Sequence, residues 1–567
     1  MEKRWVYKHT PKDQAVKTLA TALNVNPTLA TLLIQRGITS FDDARGFFRP
    51  SLDQLHDPFL MKGMENAVNR LCEAIFGNEK ILVYGDYDVD GTTSVSLVYG
   101  FLKSFTEHLE YYIPDRYTEG YGISEKGVNW ASENNVSLII SLDCGIRAVD
   151  RVAQANALGV DVIICDHHLP GDELPDALAI LDPKQKDDQY PFKELSGCGV
   201  GFKLLQGFCA QNTIPIEQLY AHLDLVAVSI ASDIVPIVGE NRILAYYGLR
   251  KLNQAPSKGL KSLMEISGLK GTITISDVVF YLGPRINAAG RLTHAKESVK
   301  LLLAESEDDL DYFSDNLNTK NSERKNFDKS ITAEALEMIE TDDSLRDAKS
   351  TVLFKEDWHK GVIGIVASRC IETYYRPTII LTESKNKATG SARSVDGFDV
   401  HEAISACSEL LEQFGGHKYA AGLTLELDKV DAFRQKFEEV VSASITPEQL
   451  IPKLDIDLDI NFDFIDFKSY AILQQMAPFG PQNMQPVFSS ADVKCKIEPR
   501  VLKETHLKLQ VYQQTPNQSF DAIGFGMGHL KDQILESESF KLAYHIEENN
   551  FRGNKSLQLL IKDIKFD

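Results

Sequence analysis

Ile81-Leu82-Val83-Tyr84-Gly85-Asp86-Tyr87-Asp88-Val89-Asp90-Gly91 is the stretch on which the fold turns. A short apolar run enters a turn that carries three carboxylates at alternate positions. A run without polar alternation fits a strand buried on both faces, the normal state in a parallel sheet. Two later runs repeat the pattern: Leu138-Ile139-Ile140-Ser141-Leu142 stops at Asp143, and Val162-Ile163-Ile164-Cys165 stops at Asp166. Helical stretches lie between them, so residues 80 to 240 read as α/β with a mostly parallel sheet. Such sheets bind ligands beyond the carboxyl ends of their strands, which is where these acids fall.

Outward from this centre the pattern changes twice. Residues 302 to 340 are polar, with apolar positions every three or four residues (Leu310, Phe313, Leu317, then Phe327, Ile331, Ala335). That spacing predicts a long helix joining two lobes, roughly 50–60 Å if continuous. A second α/β segment follows over 350 to 445, with Thr351-Val352-Leu353-Phe354 and Thr378-Ile379-Ile380-Leu381 as strands. From 452 onward alternation takes over, as in His506-Leu507-Lys508-Leu509-Gln510-Val511, and a turn-rich Asn549 to Lys555 precedes Leu557 to Ile564. This reads as an antiparallel β domain, barrel or sandwich. The first 50 residues read as a helical arm.

Composition narrows the class. A length of 567 residues suggests three or four domains, and 43% hydrophobic with 25% charged residues is ordinary for globular proteins. No apolar run approaches the roughly 18–20 uncharged residues of a membrane span, and the stretch Leu223 to Gly239 is broken by Asp224 and Asp233. The N-terminus MEKRWVYKHT lacks the apolar core of a signal peptide, and the eight cysteines form no CxxC pair. Together these predict a reduced, cytoplasmic protein. Sixty Lys and Arg against 81 Asp and Glu give a net charge of −21. A polyanionic substrate would therefore need metal ions or local basic patches.

In extended backbone Asp86, Asp88 and Asp90 share a face, and a divalent cation would relieve their repulsion. An acidic turn or a calcium loop remains an alternative, although an EF-hand read from Asp86 reaches Leu97 where a Glu is required. Asp143 alone could be a helix cap. In Asp166-His167-His168 the adjacent imidazoles should point apart, one free to ligate and the other to meet substrate. Asp233 interrupts the apolar Ala227 to Val238, and Asp is seldom buried unless paired or metal-bound. Taken together, carboxylates outnumber imidazoles and thiolates are absent, which favours Mn²⁺ or Mg²⁺ over structural zinc. Two such cations are a standard means of in-line phosphoryl displacement.

These motifs, Gly85 to Gly91, Leu142-Asp143-Cys144-Gly145, Asp166-His167-His168 and Ser232-Asp233, resemble the DHH phosphoesterase superfamily, and within it the branch of 5′→3′ single-strand-specific DNA exonucleases. The resemblance runs from about residue 75 to the C-terminus. It implies a DHH catalytic domain over 51–300, a connecting helix over 301–345, a DHHA1 α/β domain over 346–450 and an OB-like β-barrel over 451–567, after the arm at 1–50. It implies that Asp86, Asp88 and Asp143 hold one metal. Asp90, Asp143, His167 and Asp233 would hold the other, with Asp143 bridging and His168 facing the scissile phosphate. Catalysis would rest on Asp143, His168, Asp88 and Asp90. Many superfamily members carry a ligating His at the position of Tyr84, so Asp86 would substitute for it here.

Further matches concern substrate. Ile113 to Gly122 resembles a loop bearing Arg116, and Gly283 to Arg291 resembles a signature supplying Arg285, Asn287 and Arg291. Gly390-Ser391-Ala392-Arg393-Ser394 and Gly415 to Gly422 resemble DHHA1 motifs, giving Ser391, Arg393 and His417. A 5′-phosphate pocket of Arg393, Ser391 and Arg285 would set polarity, because Arg offers a planar fork to phosphate oxygens. Each Arg could instead be a surface ion pair, His417 a structural histidine, and Gly415-Gly416 a helix C-cap. Pro478-Phe479-Gly480 and the β segment after it resemble the OB-type domain of this branch, in which Phe488, Tyr512, Phe525 and Phe551 are candidates for base stacking. A narrow channel between the α/β lobes would exclude duplex.

The expected activity is metal-dependent 5′→3′ hydrolysis of single-stranded DNA to 5′-mononucleotides, in repair and recombination, with a helicase and a single-strand-binding protein as partners. A small-substrate enzyme acting on short oligonucleotides, cyclic dinucleotides or pyrophosphate is the alternative, as is a non-catalytic scaffold.

Overall fold

The computed structural model describes residues 1–551 and 553–566, and of Phe551 only the backbone. The chain forms two compact units, one of residues 45–324 with 477–484 and one of residues 1–44, 325–476 and 485–567.

In the first unit five strands form a parallel sheet in the order Leu109–Tyr112, Lys80–Gly85, Val136–Leu142, Asp161–Cys165, Ala179–Leu181. Alternate residues feed two cores. Ile81, Val83, Ile140 and Ile163 point into one, and Leu82, Tyr84, Ile139 and Ile164 into the other. Burial on both faces is why these runs lack polar alternation.

The register aligns the strand ends. Gly85 pairs with Leu142, Leu142 with Cys165 and Cys165 with Leu181. The next residue in each strand is an aspartate, so Asp86, Asp143, Asp166 and Asp182 form a row along the carboxyl edge. The helix Val89–Leu102 that follows the first strand is almost wholly buried. It carries Thr92, Thr93, Ser94 and Ser96 without orphaned hydroxyls because each donates to a carbonyl one turn earlier.

The helix Glu307–Thr341 is 35 residues long. Leu310 and Leu317 on its first half join the core of the first unit, and Ile331, Ala335 and Ile339 on its second half join a core of the other.

In the second unit a mixed sheet runs Gln413–His417, Ala420–Leu425, Lys387–Arg393, Thr378–Ser384, Thr351–Phe354. Gly415 and Gly416 are therefore in an edge strand and not at a helix C-cap. After it comes a closed barrel: Phe488–Cys495 pairs on one side with Phe540–Phe551 and at its end with His506–Tyr512. The circuit closes through Asn554–Phe566 and Ser519–Gly524. The expected antiparallel pattern fails at one seam, where Ser519–Gly524 and Asn554–Phe566 run parallel. Strand order 1-2-3-5-4-1 requires it, since the helical segment after the third strand carries the chain across the barrel. The expected turn at Asn549 to Lys555 is also narrower, because pairing continues out to Phe551 and Asn554.

The N-terminal arm begins with a strand, Arg4–Tyr7, paired parallel with Lys453–Ile456, before the helices Asp13–Leu23, Pro27–Ile34 and Phe41–Phe48. Trp5 Nε1 donates to Asp563 at 2.6 Å, and Asp457, nearly fully buried, faces Lys8 at 2.8 Å and Arg36 at 3.5 Å. No helix among the described residues is long and apolar enough to cross a membrane.

Candidate active site

The acidic turn is not extended throughout. Asp88 is the N-cap of the Val89–Leu102 helix and accepts the Gly91 N–H at 3.0 Å, so Asp90 already lies in the first helical turn. The three carboxylates therefore do not share one strand face; the strand-to-helix turn aims them. A Cβ on Gly91 would sit 2.4 Å from the Asp86 carbonyl oxygen, which excludes any side chain there.

Asp90 is fixed from three sides. Its Oδ2 accepts the Gly197 N–H at 2.7 Å, and its Oδ1 accepts the Cys198 N–H at 2.8 Å and the Ser229 hydroxyl at 2.7 Å. Those amides open the helix Gly197–Gln211, whose positive end suits a carboxylate. His167 Nε2 lies 3.1 Å from Asp143, 3.7 Å from Asp90 and 3.6 Å from Asp233. Two groups can each surround a cation: Asp90 with His167 and Asp233, and Asp143 with His167 and His168. Asp233, expected to be buried, caps the C-terminus of the helix Leu223–Ser232 with 26% of its side chain exposed.

The two histidines do not diverge as expected of neighbours in a strand. They follow the strand end in a loop, and their ring centroids are 4.6 Å apart. Asp166 is no member of either group. Its carboxylate accepts the N–H of Ile146, His167 and His168 and meets His168 Nδ1 at 2.7 Å. Burial opposes its charge, yet these bonds hold its pKa down at about 2. Burial opposes the charge of His168 also, but the Asp166 partner outweighs it and raises the imidazole pKa.

Asp86 is fully buried; Oδ1 accepts the Gly122 N–H at 3.3 Å and Oδ2 has no hydrogen-bond partner. Tyr84 faces the opposite core and binds Gly122 and Ser124 through its hydroxyl. It offers no atom to the cluster, whereas Asp86 does. Burial and the neighbouring Asp90 and Asp88 push Asp233 up to about 9. Burial and Asp90, Asp88, Asp233 and Asp86 push Asp143 well above the carboxylate range. So much like charge calls for a cation, and the donor set, carboxylates with one or two imidazoles and an orphaned buried oxygen, fits a hard divalent ion.

The loop after Leu109–Tyr112 carries Arg116, whose guanidinium lies 4.8 Å from the Tyr87 ring centroid. The same loop makes a contribution that no motif signals: the Tyr121 hydroxyl donates to the Asp143 carbonyl at 2.8 Å and lies 3.3 Å from His168 Nε2. Asp182 was also missed, although Ala179-Ile180-Leu181 ending at an acid obeys the same rule as the other strands. It is buried, one of its oxygens lacks a partner, and burial raises its pKa to about 7.

The remaining residues fall in both units. Arg291 accepts the Tyr117 hydroxyl at its carbonyl, and Asn287 is half-buried on the same helix, Gly283–Leu292. Arg285, expected in a phosphate pocket, is buried and engaged within its own unit, donating to the Tyr281 carbonyl at 2.8 Å and to Asn318 at 3.1 Å. Ser391 and Arg393 belong to the other unit, where Arg393 donates to the Ser391 hydroxyl at 3.0 Å and to the Ala392 carbonyl at 2.8 Å. Both abut Gly364 at the start of the helix Ile363–Thr373. His417 is exposed at the end of the edge strand. In the barrel Phe488 packs on Phe464 and Tyr544 and is core, Tyr512 is half-buried and Phe525 is exposed. The Phe551 side chain lies outside the described residues.

A parallel sheet with acids and an Asp-His-His loop along its carboxyl edge defines a DHH-type phosphoesterase, and residues 80–230 match the DHH family N-terminal domain. Residues 347–443 match the DHHA1 domain and 456–563 the RecJ OB domain. The single-stranded-DNA-specific exonuclease RecJ of Bacillus subtilis is 38% identical over 99% of this chain and 70% of its own length. That of Salmonella typhimurium is 33% identical over 97% and 98%. The crystal structure of Thermus thermophilus RecJ with Mn²⁺ superposes with a TM-score of 0.86 at 26% identity, covering all of this chain and 80% of that one. The chain belongs to the RecJ family of single-stranded-DNA-specific exonucleases.

Proposed function

We propose that this protein is a metal-dependent exonuclease that degrades single-stranded DNA from the 5′ end to 5′-mononucleotides. The observation that carries the reading is the convergence of Asp90, Asp143, Asp233 and His167 on one point at the carboxyl edge of the sheet. RecJ relatives crystallised with Mn²⁺ and with Mg²⁺ support the same class of cation.

Asp90, Asp143, His167 and Asp233 would hold one cation and Asp86, Asp88 and Asp143 the other, Asp143 being common to both sets. Held there, two divalent cations would supply activation of the attacking water and neutralisation of charge at an in-line displacement on phosphorus. The chain's own residues do the rest. Asp166 orients His168 toward the scissile phosphate. Arg116, Arg291 and Asn287 lie on the same unit and would steady the strand, with Arg116 braced on Tyr87.

The domain roles follow the same reading: catalysis within 51–300, the connecting helix within 301–345, substrate handling within 346–450 and single-strand binding within 451–567. Ser391 and Arg393 would receive the 5′-phosphate, a task to which a guanidinium is suited by its planar fork, and His417 and Arg285 would be further substrate contacts. Exposed Phe525 and half-buried Tyr512 are candidate stacking surfaces on the barrel. Repair and recombination, a cytoplasmic location, and a helicase and single-strand-binding protein as partners are consistent with a nuclease that needs strands exposed for it. All eight cysteines are free thiols, as a reducing compartment maintains them.

The test uses 5′-phosphorylated single-stranded DNA labelled in turn at each end, with Mn²⁺, Mg²⁺ or chelator, for wild type and Asp143→Ala. Release of mononucleotides from the 5′ label, abolished by chelator and by Asp143→Ala, is the expected result. An intact strand in every metal, with hydrolysis of a dinucleotide or pyrophosphate, would reassign the substrate.

A further inference from the structure

We infer that Tyr121 is a positioning residue of the hydrolytic site, its hydroxyl tying the backbone of Asp143 to the imidazole of His168. The inference rests on the exonuclease reading and adds to it a residue that neither ligates metal nor belongs to the DHH motif.

The first observation is the backbone of Asp143. Its φ is +59°, the left-handed region that a residue with a Cβ enters only at a cost. Such a conformation persists where its surroundings over-determine it. Three contacts do so. The Asp143 N–H donates to the Cys165 carbonyl at 2.9 Å. Gly197 approaches so closely that a Cβ there would lie 2.8 Å from the Asp143 Cα. The Asp143 carbonyl accepts the Tyr121 hydroxyl at 2.8 Å. The first two belong to backbone that cannot be otherwise; the third is a side chain.

The second observation is the other neighbour of that hydroxyl. The Tyr121 oxygen is 3.3 Å from His168 Nε2 and 3.4 Å from Nδ1, and the two rings are near perpendicular at 79°. The hydroxyl proton goes to the Asp143 carbonyl, so the contact with His168 is a hydrogen bond in the imidazolium form, in which Nε2–H donates to the Tyr121 oxygen while Nδ1–H faces Asp166. Asp166 holds the ring through Nδ1. His168 is thus braced by two groups, although 44% of its side chain is exposed.

The third observation is that Tyr121 is itself placed by the site. Gly122 donates its N–H to Asp86 and accepts the Tyr84 hydroxyl at its carbonyl, and Ser124 donates its N–H to Tyr84. Glu119 closes the loop from the other end by accepting from Tyr112, Ser124 and the Asp115 N–H. Tyr121, by contrast, is 54% exposed as a residue and belongs to none of the hydrophobic cores, so little core packing depends on it. A buried anchor chain ending in an exposed residue, with its hydroxyl turned inward onto two active-site residues, is the arrangement of a brace.

Tyr121→Phe keeps the ring and removes only the brace. In the full-length protein with Mn²⁺ and single-stranded DNA, kcat should fall roughly fivefold to tenfold, the factor that corresponds to one net hydrogen bond. KM and Tm should stay at the wild-type values. Tyr121→Ala should lose at least as much in kcat. In a His168→Ala background, compared in single turnovers, Tyr121→Phe should have a clearly smaller effect than in wild type, because the two residues act as one unit. A wild-type kcat for Tyr121→Phe, with Tyr121→Ala raising KM alone, would make the ring a substrate shelf and overturn the inference. An undiminished effect in the His168→Ala background, or a fall in kcat matched by a fall in Tm, would overturn it as well. Failure of the wild type itself to cut single-stranded DNA would instead count against the exonuclease reading.

Discussion

Asp166 Oδ1 and His168 Nδ1 stand 2.7 Å apart, and the same carboxylate takes three backbone N–H groups. An aspartate so fully engaged orients rather than ligates. Asp166→Asn removes the charge that holds the imidazole while keeping the volume. Loss of such an outer-shell partner costs about 10–100-fold in activity or metal affinity. The expected outcome is a fall of that size in kcat with Mn²⁺ half-saturation little changed, read from steady-state rates at varied Mn²⁺. An unaltered kcat would remove Asp166 from the mechanism.

Stability in chelator should fall as pH rises. Asp143 is raised well above the ordinary carboxylate value, Asp233 up to about 9 and Asp182 up to about 7. Across that interval the folded chain holds protons that the unfolded chain has released, so unfolding becomes easier with increasing pH. Thermal scans from about pH 5 to about pH 9 should show a declining Tm, and saturating Mn²⁺ should flatten the decline. Below the ordinary carboxylate range the sign reverses, because Asp166, held at about 2, loses its contribution as it protonates.

Gly197 and Gly199 lie two residues apart at the start of one helix and make a matched pair. A Cβ at Gly197 would stand 2.6 Å from the Asp143 Cβ, whereas at Gly199 the nearest atom would be an ordinary 3.4 Å away. Gly197→Ala is expected to cost about 1–3 kcal/mol and to weaken Mn²⁺ binding. Gly199→Ala should do neither. Denaturant melts and Mn²⁺ titrations of both variants decide the matter, and equal behaviour would refute the close-packing account.

Asp457 faces Lys8 and the buried Arg36 and accepts the Val487 N–H, tying the N-terminal arm to the barrel end of its unit. Asp457→Ala removes one partner of a buried pair, which costs about 3 kcal/mol or more. The melt of this unit should shift by that amount, followed by Trp5 fluorescence. Mn²⁺ binding at the acidic cluster, which lies in the other unit, should be unchanged.

The parallel sheet and the place of its chemistry are legible in the chain's local pattern. Uninterrupted apolar runs can be buried only on both faces, and Asp86, Asp143 and Asp166 mark their ends. Asp182 was equally legible by that rule, but its run of three residues is too short to stand out. The long helix and the β-rich C-terminal domain were legible from periodicity, a local property.

Tertiary structure alone decided which oxygen meets which nitrogen. The share of Asp90 between a helix N-terminus and His167, the burial of Arg285 against Asn318, and the Tyr121 hydroxyl on Asp143 all join residues distant in the chain. The parallel seam of the barrel is of the same kind, because strand order is set by closure and not by the strands' own patterns. Periodicity records which side of an element is buried; it carries no information on what the buried side touches. Those contacts arise only when separate elements pack, and there the site acquires its geometry.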